Sequence, residues 1–190
     1  GYGNHHLKGY GKGYGNHHPP LKVLELGTGS GAVIVSLAQE CPGNLFFALD
    51  ISVDAVKMAR DNARANLGGD QVCFWVSSWM ESLLPGFLFD VIVSNPPYIP
   101  SQVIDELQPE VRCHEPRGAL DGGGDGFQAF RSILFSAATA LDAQGTLIME
   151  MGFDQRKMMA QEAASCPVYR EPCFVKDYAG NDRVVVLRLK

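Results

Sequence analysis

Four consecutive residues, Asn95, Pro96, Pro97 and Tyr98, follow an apolar stretch over residues 89–93. Proline fixes φ near about −65° and has no N–H, so the carbonyls beside two prolines are held rigidly and lack local donors. The Asn95 side chain and the Pro96 carbonyl offer two acceptors, and Tyr98 offers an aromatic face. This set fits a planar NH2 group, whose two hydrogens meet the acceptors while the ring covers its plane.

Such a group needs help to react, because the lone pair of an amide or exocyclic amine is delocalised. Hydrogen bonds to both hydrogens orient the nitrogen and localise its lone pair toward an electrophile, so no strong base is required. We predict that Asn95, Pro96 and Tyr98 are catalytic, with Pro97 completing the substrate-binding turn, and that the rate gain comes mainly from positioning. A rigid turn that merely packs a tyrosine is the alternative interpretation.

A glycine-rich loop over residues 25–31 supplies a second candidate site. It lies where an apolar stretch turns into a helical pattern, a place where free N–H groups and close backbone approach favour a bound nucleotide. Asp50 ends the next apolar stretch, where an acid can accept hydrogen bonds from both ribose hydroxyls. Because Gly27, Gly29 and Ala32 also satisfy the G-x-G-x-x-A fingerprint, the loop alone leaves NAD and S-adenosylmethionine open, and a tight turn without ligand is a third interpretation.

Apolar runs and helical periodicity alternate along the rest of the chain. Strands are predicted over 21–26, 45–49, 72–76, 89–93, 146–151, 168–175 and 183–189, and helices over 32–39, 127–141, 155–164 and from the N-cap Ser52 to Gly68. Strands alternating with helices indicate an α/β fold with a parallel sheet covered on both faces. The turn-rich residues 177–182 join the last two strands directly, so one of the two is expected to be antiparallel.

Composition excludes several classes of protein. The chain has 190 residues, of which 46% are hydrophobic and 19% charged, as in a globular domain. No apolar run approaches the roughly 18–20 residues of a membrane span, and the N-terminus does not resemble a signal peptide. The five cysteines are odd in number and form no C-x-x-C pair, which favours free thiols in a reducing compartment over disulfides or a zinc site.

The first twenty residues differ from the remainder. The hexapeptide GYGNHH occurs at 1–6 and again at 13–18, and this segment holds four of the five histidines. It has no structural period, so we predict a tag-like or disordered segment at 1–20 and a single domain at 21–190. A metal-binding histidine-rich tail is the alternative. Residues 21–190 carry 14 basic and 21 acidic residues, a formal charge of −7.

The order of the motifs resembles class I S-adenosylmethionine-dependent methyltransferases that act on planar nitrogens. Two further segments, over 111–126 and 176–185, are similar to the HemK/PrmC family of protein-(glutamine-N5) methyltransferases, and the resemblance covers essentially all of 21–190. It implies a Rossmann-like, mostly parallel seven-stranded sheet with the last strand antiparallel. It also implies N5-methylation of the glutamine in the Gly-Gly-Gln motif of class 1 peptide chain release factors, with S-adenosyl-L-methionine as cofactor and S-adenosyl-L-homocysteine as product.

The resemblance also assigns residue roles. Asp50 would hold the ribose, Trp79 would lie against the adenine, and Asn95 would touch cofactor and substrate. Glu25 would support the amino end of the cofactor, whose methionine part would be wrapped by Gly27, Thr28, Gly29, Ser30 and Gly31. Ser78 departs from the family, which usually has an acid before this tryptophan. The family's N-terminal helical domain is missing before residue 21, so we expect a catalytic domain alone.

Other functions stay open at this point. A ribosomal-protein glutamine methyltransferase would share both motifs, and a non-catalytic cofactor-binding module would share the glycine loop. An adenine-N6 methyltransferase is opposed by the charge of residues 21–190 and by the absence of a basic cluster, and a dehydrogenase leaves residues 95–98 unexplained. We expect a monomer in the cytoplasm, bacterial or organellar, that binds neither membrane nor nucleic acid. His114 as a general base and residues 122–126 as a mobile lid are secondary hypotheses.

Overall fold

The computed structural model describes residues 19–106 and 116–190. The strands are β1 (Lys22–Leu26), β2 (Leu45–Asp50), β3 (Val72–Val76), β4 (Phe89–Ser94), β5 (Leu141–Glu150), β6 (Cys173–Lys176) and β7 (Asp182–Arg188). The helices are α1 (Ala32–Glu40), α2 (Val53–Leu67), α3 (Ser101–Ile104), α4 (Arg117–Leu120), α5 (Gln128–Ala140) and α6 (Arg156–Ala164). Among these residues, no helix combines the length and the apolar character that crossing a bilayer requires.

All seven strands form one sheet in the order β3-β2-β1-β4-β5-β7-β6. The first five strands pair in parallel, while β7 runs antiparallel to both β5 and β6. The predicted α/β class, the seven-stranded sheet and the antiparallel last strand are therefore confirmed. The strand order reverses between β1 and β4, and in open α/β sheets ligands bind at such a switch point, beyond the carboxyl ends of the strands.

The sheet is buried on both faces, as the alternation of strand residues dictates. In β1, Leu24 and Leu26 point into the larger of two apolar clusters, whereas Val23 points into the smaller one. The larger cluster includes residues of α5 and α6, and the smaller includes residues of α1 and α2. A strand covered by helices on both sides can be apolar at every position, which is the pattern that predicted parallel pairing.

Helix α2 begins and ends at the predicted residues. The Ser52 hydroxyl accepts a hydrogen bond from the Ala55 amide at 3.2 Å, and Gly68 adopts a left-handed conformation with φ 71° at the other end. Both devices satisfy backbone groups that a helix end leaves unpaired. The apolar face of α2 is then fixed toward the sheet, with Val56, Ala59 and Ala63 buried.

Two strand boundaries differ from the prediction. β5 begins at Leu141, which pairs with Phe89 before a register shift brings Thr146 opposite Val91. The strand predicted over 168–175 contributes only Cys173–Lys176 to the sheet, and Tyr169 forms an isolated bridge with Leu189. Pro172 interrupts this stretch because it has no N–H to donate to a ladder. The short helices α3 and α4 were not predicted.

Candidate functional site

Pairing of β1 with β4 brings the two predicted motifs together. Leu26 and Ser94 are register partners at the carboxyl ends of these strands, and the Ser94 hydroxyl donates to the Leu26 carbonyl at 2.8 Å. The next residues along the two strands are Gly27 and Asn95. The glycine loop and residues 95–98 therefore leave the sheet side by side, at the switch point of the strand order.

Backbone geometry explains why the loop is rich in glycine. Gly27, Gly29 and Gly31 all have positive φ, at 68°, 54° and 81°. A Cβ on Gly31 would lie 3.0 Å from the Cβ of Ala59, so this glycine lets α1 start in close contact with α2. A Cβ on Gly29 would meet no atom within 4 Å, so the loop faces open space there.

Glu25 is a buried carboxyl group beneath this loop, only 3% exposed. It accepts a hydrogen bond from the Thr28 hydroxyl and one from the Ile34 amide in the first turn of α1. Burial raises the pKa of Glu25 from 4.5 to about 7, and the nearby Asp50 carboxylate adds to the rise against the effect of the two hydrogen bonds. Loss of hydration disfavours the charged form of a buried acid more than two donors can offset.

Asp50 connects the loop with α2. One of its oxygens accepts from the Gly29 amide at 2.9 Å, and the other accepts from the Ser52 amide at 2.9 Å. The side chain is half-buried, and each carboxylate oxygen retains a further lone pair for a ligand hydroxyl. Asp50 is thus held in one orientation at the carboxyl end of β2.

Trp79 also lies beside the loop. A Cβ on Gly27 would be 3.8 Å from the Cζ3 atom of Trp79, so the indole ring is adjacent to the first glycine. Among the non-glycine residues of 19–106 and 116–190, Trp79 alone has a positive φ, of 43°. Such a conformation is uncommon for a bulky residue and clusters at ligand sites. Ser78, the departure from the family pattern, immediately precedes it and is half-buried.

Residues 95 and 96, predicted to bind an amide, present free acceptors. Pro96 is buried, whereas Asn95 is exposed. In the described part of the chain, neither the Asn95 side chain nor the Pro96 carbonyl is engaged in a hydrogen bond. Tyr98 is half-buried with its hydroxyl 3.4 Å from a Glu150 oxygen. Burial, followed by the charge of Glu150, raises the pKa of the Tyr98 hydroxyl, so this ring stays neutral at physiological pH.

Two residues enclose the Tyr98 carbonyl: Gln155, which the sequence analysis missed as a site residue, and Gly126, which it placed in a candidate lid. The Gln155 side-chain amide donates to that carbonyl at 2.9 Å, and its oxygen accepts from the Gly152 amide at 2.8 Å. Gly126 packs against the same carbonyl so closely that a Cβ would lie 2.5 Å from it. The sequence does not reveal either contact with Tyr98, because the contacts span 28 and 57 positions.

Residues 122–126 contact the chain that follows Tyr98. The Gly122 amide donates to the Ile99 carbonyl at 2.9 Å, and the Ser101 amide donates to the Gly123 carbonyl at 2.9 Å. Asp121 fixes the start of this segment by accepting from the Ser101 hydroxyl at 2.6 Å. These bonds attach the glycine run to the chain that follows Tyr98, and the mobile lid stays a hypothesis.

The segment 176–185 reaches the site through Arg183. Its guanidinium donates to the Met151 carbonyl at 3.3 Å and forms an ion pair with Asp177 at 3.4 Å. It also faces the Tyr98 hydroxyl, where its charge opposes the rise in pKa that Glu150 causes. Asp177 in turn accepts from the Ala179 and Asn181 amides, which fixes the turn between β6 and β7.

The structure therefore gathers most of the predicted residues at one edge of the sheet. Ser30 is less central, since it is exposed and its carbonyl accepts from the Asn62 side chain at 2.9 Å. His114 lies outside the described residues, as do most of residues 1–20.

This sheet order, with a glycine loop after the first strand and an acid after the second, defines the class I methyltransferase fold. Solved structures agree. A methyltransferase from Pyrococcus furiosus superposes with a TM-score of 0.65 at 19% identity, over 90% of this chain and 75% of that one. The ribosomal protein L11 methylase from Lactobacillus delbrueckii subsp. bulgaricus gives 0.63 at 18% identity, over 90% and 71%.

A family model described as "Methyltransferase small domain" matches residues 16–127, and the chain belongs to this family. Its methyl donor is the predicted cofactor, S-adenosylmethionine. Among curated relatives, two named "Release factor glutamine methyltransferase" are each 42% identical: one from Thermosynechococcus vestitus over 164 residues, and one from Agrobacterium fabrum over 167. These matches cover 86% and 88% of this chain but 56% and 57% of the relatives. The chain thus spans about half the length of the relatives.

Proposed function

We propose that this chain uses S-adenosylmethionine to methylate the side-chain nitrogen of a glutamine in class 1 peptide chain release factors. The observation that carries the proposal is the pair of free acceptors at Asn95 and Pro96, directly beside the glycine loop. The names of the relatives point to a release-factor glutamine as substrate, and the amide of a glutamine side chain carries an NH2 group that such a pair fits.

The cofactor is held by groups at the ends of β1 and β2. We assign Asp50 to the ribose hydroxyls and the Trp79 ring to the adenine, with Glu25 supporting the loop beneath the amino end of the cofactor. The methionine part lies along the loop, formed by Gly27, Thr28, Gly29, Ser30 and Gly31. The open space at Gly29 fits this assignment, since a loop packed against its own protein would leave no room for a ligand.

The substrate amide is oriented by residues 95–98. The Asn95 side-chain oxygen and the Pro96 carbonyl each accept one hydrogen of the glutamine NH2, and the Tyr98 ring covers the amide plane. With both hydrogens bound, the nitrogen lone pair is directed toward the neighbouring cofactor loop. Catalysis then consists of orientation, which can supply several kcal/mol.

When bound, S-adenosylmethionine supplies an electrophilic methyl group and leaves as S-adenosylhomocysteine. The glutamine nitrogen gains one C–N bond as the C–S bond breaks, and one of its protons is then released to water. Asn95 keeps hold of the nitrogen throughout, through the hydrogen that remains. No ionisable side chain has to accept the proton, because the methylated nitrogen is strongly acidic while it still carries the extra proton.

Methyl transfer from labelled S-adenosylmethionine tests this function. Release factor, mixed ribosomal proteins and duplex DNA are offered side by side, and the labelled residue is mapped by mass spectrometry. We expect label on a release-factor glutamine in the Gly-Gly-Gln motif, lost in Asn95→Ala. Label on a ribosomal protein or on adenine would overturn the substrate, and bound cofactor without any transfer would favour a binding module.

Several finer assignments belong to the same proposal. We take residues 21–190 as the catalytic domain, with 1–20 as a tag-like segment outside it. We further propose that the protein acts as a monomer in the cytoplasm, on a protein substrate and without direct contact to nucleic acid. Gel filtration of the purified chain, with and without release factor, tests the oligomeric state.

A further inference from the structure

Tyr98 is held from two sides by the segment that leaves β5. Its hydroxyl lies near Glu150, the last residue of the strand, and its carbonyl accepts from Gln155, five residues later. Proline neighbours remove backbone N–H groups from this turn, so the donor to the Tyr98 carbonyl comes from a side chain, while the Ile99 amide of the same peptide donates to the Leu120 carbonyl.

Gln155 is the more specific of the two contacts. Its side-chain nitrogen donates to the Tyr98 carbonyl and its side-chain oxygen accepts from the Gly152 amide, so both ends of the amide are used. The side chain is half-buried, and Gln155 also stands at the N-cap of α6. Gln155 therefore stands at the start of a helix, and its side chain is fixed by two hydrogen bonds of ordinary length.

Gly126 shows how tightly the same carbonyl is enclosed. Its own backbone comes so near that a Cβ would lie 2.5 Å from the Tyr98 oxygen and 3.2 Å from the Gln155 side-chain nitrogen. The carbonyl is thus confined between a donor and a backbone, which fixes the peptide plane after Tyr98.

We propose that Gln155 is a positioning residue for methyl transfer: it holds the Tyr98 peptide plane and thereby keeps the Asn95 and Pro96 acceptors aimed at the substrate amide. The inference rests on the proposed function, since it concerns the same site. In this inference Gln155 acts through its hydrogen bond to Tyr98.

The substitution Gln155→Glu tests this with almost no change in size. The introduced carboxyl group still accepts from the Gly152 amide, but when ionised it has no donor for the Tyr98 carbonyl. At pH 8 we expect kcat to fall about tenfold, because small displacements of a reacting group are costly. Cofactor affinity should stay unchanged, since the glycine loop is not involved.

Lower pH supplies a rescue that a merely structural role would not show. Once protonated, the introduced carboxyl group can again donate to the Tyr98 carbonyl, so the ratio of variant to wild-type kcat should rise as pH falls from 8 to 5.5. The variant adds one carboxyl group to the charged or titratable groups around this position, which are present in both proteins: Tyr98, Glu150, Asp154 and Arg183. Gln161→Glu, at an exposed position of α6, is the matched control and should show neither effect.

Hydrogen exchange gives a readout that does not depend on activity. The Ile99 amide donates to the Leu120 carbonyl at 3.1 Å, directly after Tyr98. At pH 8, Gln155→Glu should speed exchange of this amide relative to wild type while amides within α6 keep their protection. Equal exchange of the Ile99 amide in both proteins would overturn the inference. A ratio of variant to wild-type kcat that does not change with pH would also overturn it. A wild-type protein that fails to methylate any glutamine would refute the proposed function, and the exchange of Ile99 would still decide the role of Gln155.

Discussion

The cofactor side and the amide side that we propose for the site are built in different ways. The cofactor side uses residues 25–31, Asp50 and Ser52, and its bonds join consecutive strand ends through short loops. The amide side uses residues 95–98, but its supports come from three later segments, around Gly126, Gln155 and Arg183. The groups proposed to react can therefore be close together in sequence while the residues that hold them are far away in sequence.

The difference has a chemical counterpart. A nucleotide offers many groups to bind, so a flexible backbone loop with several donors is sufficient for affinity. A small amide offers only two hydrogens and one plane, so its orientation depends on how rigidly a few acceptors are held. Substitutions on the two sides should accordingly affect different kinetic quantities.

The largest expected effect is that of Asn95→Ala. Loss of one of the two acceptors should lower kcat by about 100- to 1,000-fold, as for removal of a single transition-state hydrogen bond in other enzymes. Cofactor affinity should fall far less, as measured by calorimetry. Asn66→Ala, at an exposed position of α2, is the control. An equal fall in kcat and in cofactor affinity would erase the distinction between the two sides.

Glu25→Gln should change how stability depends on pH. The pKa of Glu25 is raised from 4.5 in the unfolded chain to about 7 in the folded one, so the folded state binds this proton more tightly. Its contribution to stability is present below pH 4.5 and lost as pH rises through 7. Over this range the pKa shift of Glu25 changes the free energy of unfolding by about 3 kcal/mol.

Because the variant lacks this titration, its free energy of unfolding should rise relative to that of the wild type as the pH increases from 4.5 to 7. Urea unfolding at four or five pH values measures the gap. A gap that does not change with pH would mean that Glu25 ionises as easily in the folded protein as in the unfolded chain.

Asp50→Ala is the cofactor-side counterpart of Asn95→Ala. We expect cofactor affinity to fall by about 10- to 100-fold, because hydrogen bonds to a charged acceptor contribute about 1.5–3 kcal/mol. At saturating cofactor, kcat should recover most of its wild-type value. Asp54→Ala removes an exposed carboxylate from the first turn of α2 and serves as control. A loss of kcat that saturating cofactor does not relieve would show that Asp50 also acts on the amide side.

Gly126→Ala should give the most selective of these effects. A methyl group forced against the Tyr98 carbonyl, at a residue with φ 79°, should destabilise the site by about 1–3 kcal/mol. Substrate methylation should fall while cofactor binding persists. Gly124→Ala is an ideal control, since a Cβ there meets no atom within 4 Å. Equal activities of the two variants would show that the turn tolerates displacement.

The sequence predicted the strand ends better than the contacts that support the site. The β1 and β2 ends and the Ser52 cap follow from patterns within a few residues, and the structure agrees with them. The turn-rich link predicted that one of the last two strands is antiparallel, the family resemblance implied that it is the last one, and the structure confirms this. Gln155 was assigned only to a helix start, because nothing in its neighbours reveals that its side chain reaches Tyr98. The glycine run at 122–126 was interpreted as a lid, since a sequence does not distinguish glycines that permit motion from glycines that permit close contact.

The position of β7 has a consequence for how the protein is made. β7 comes after β6 in the chain but lies between β5 and β6 in the sheet. During synthesis, β6 therefore has no partner until β7 has emerged and inserted beside β5. Because Arg183 near the start of β7 contacts the exit of β5, the amide side would be completed last, and a nascent chain could bind cofactor before it could orient a substrate.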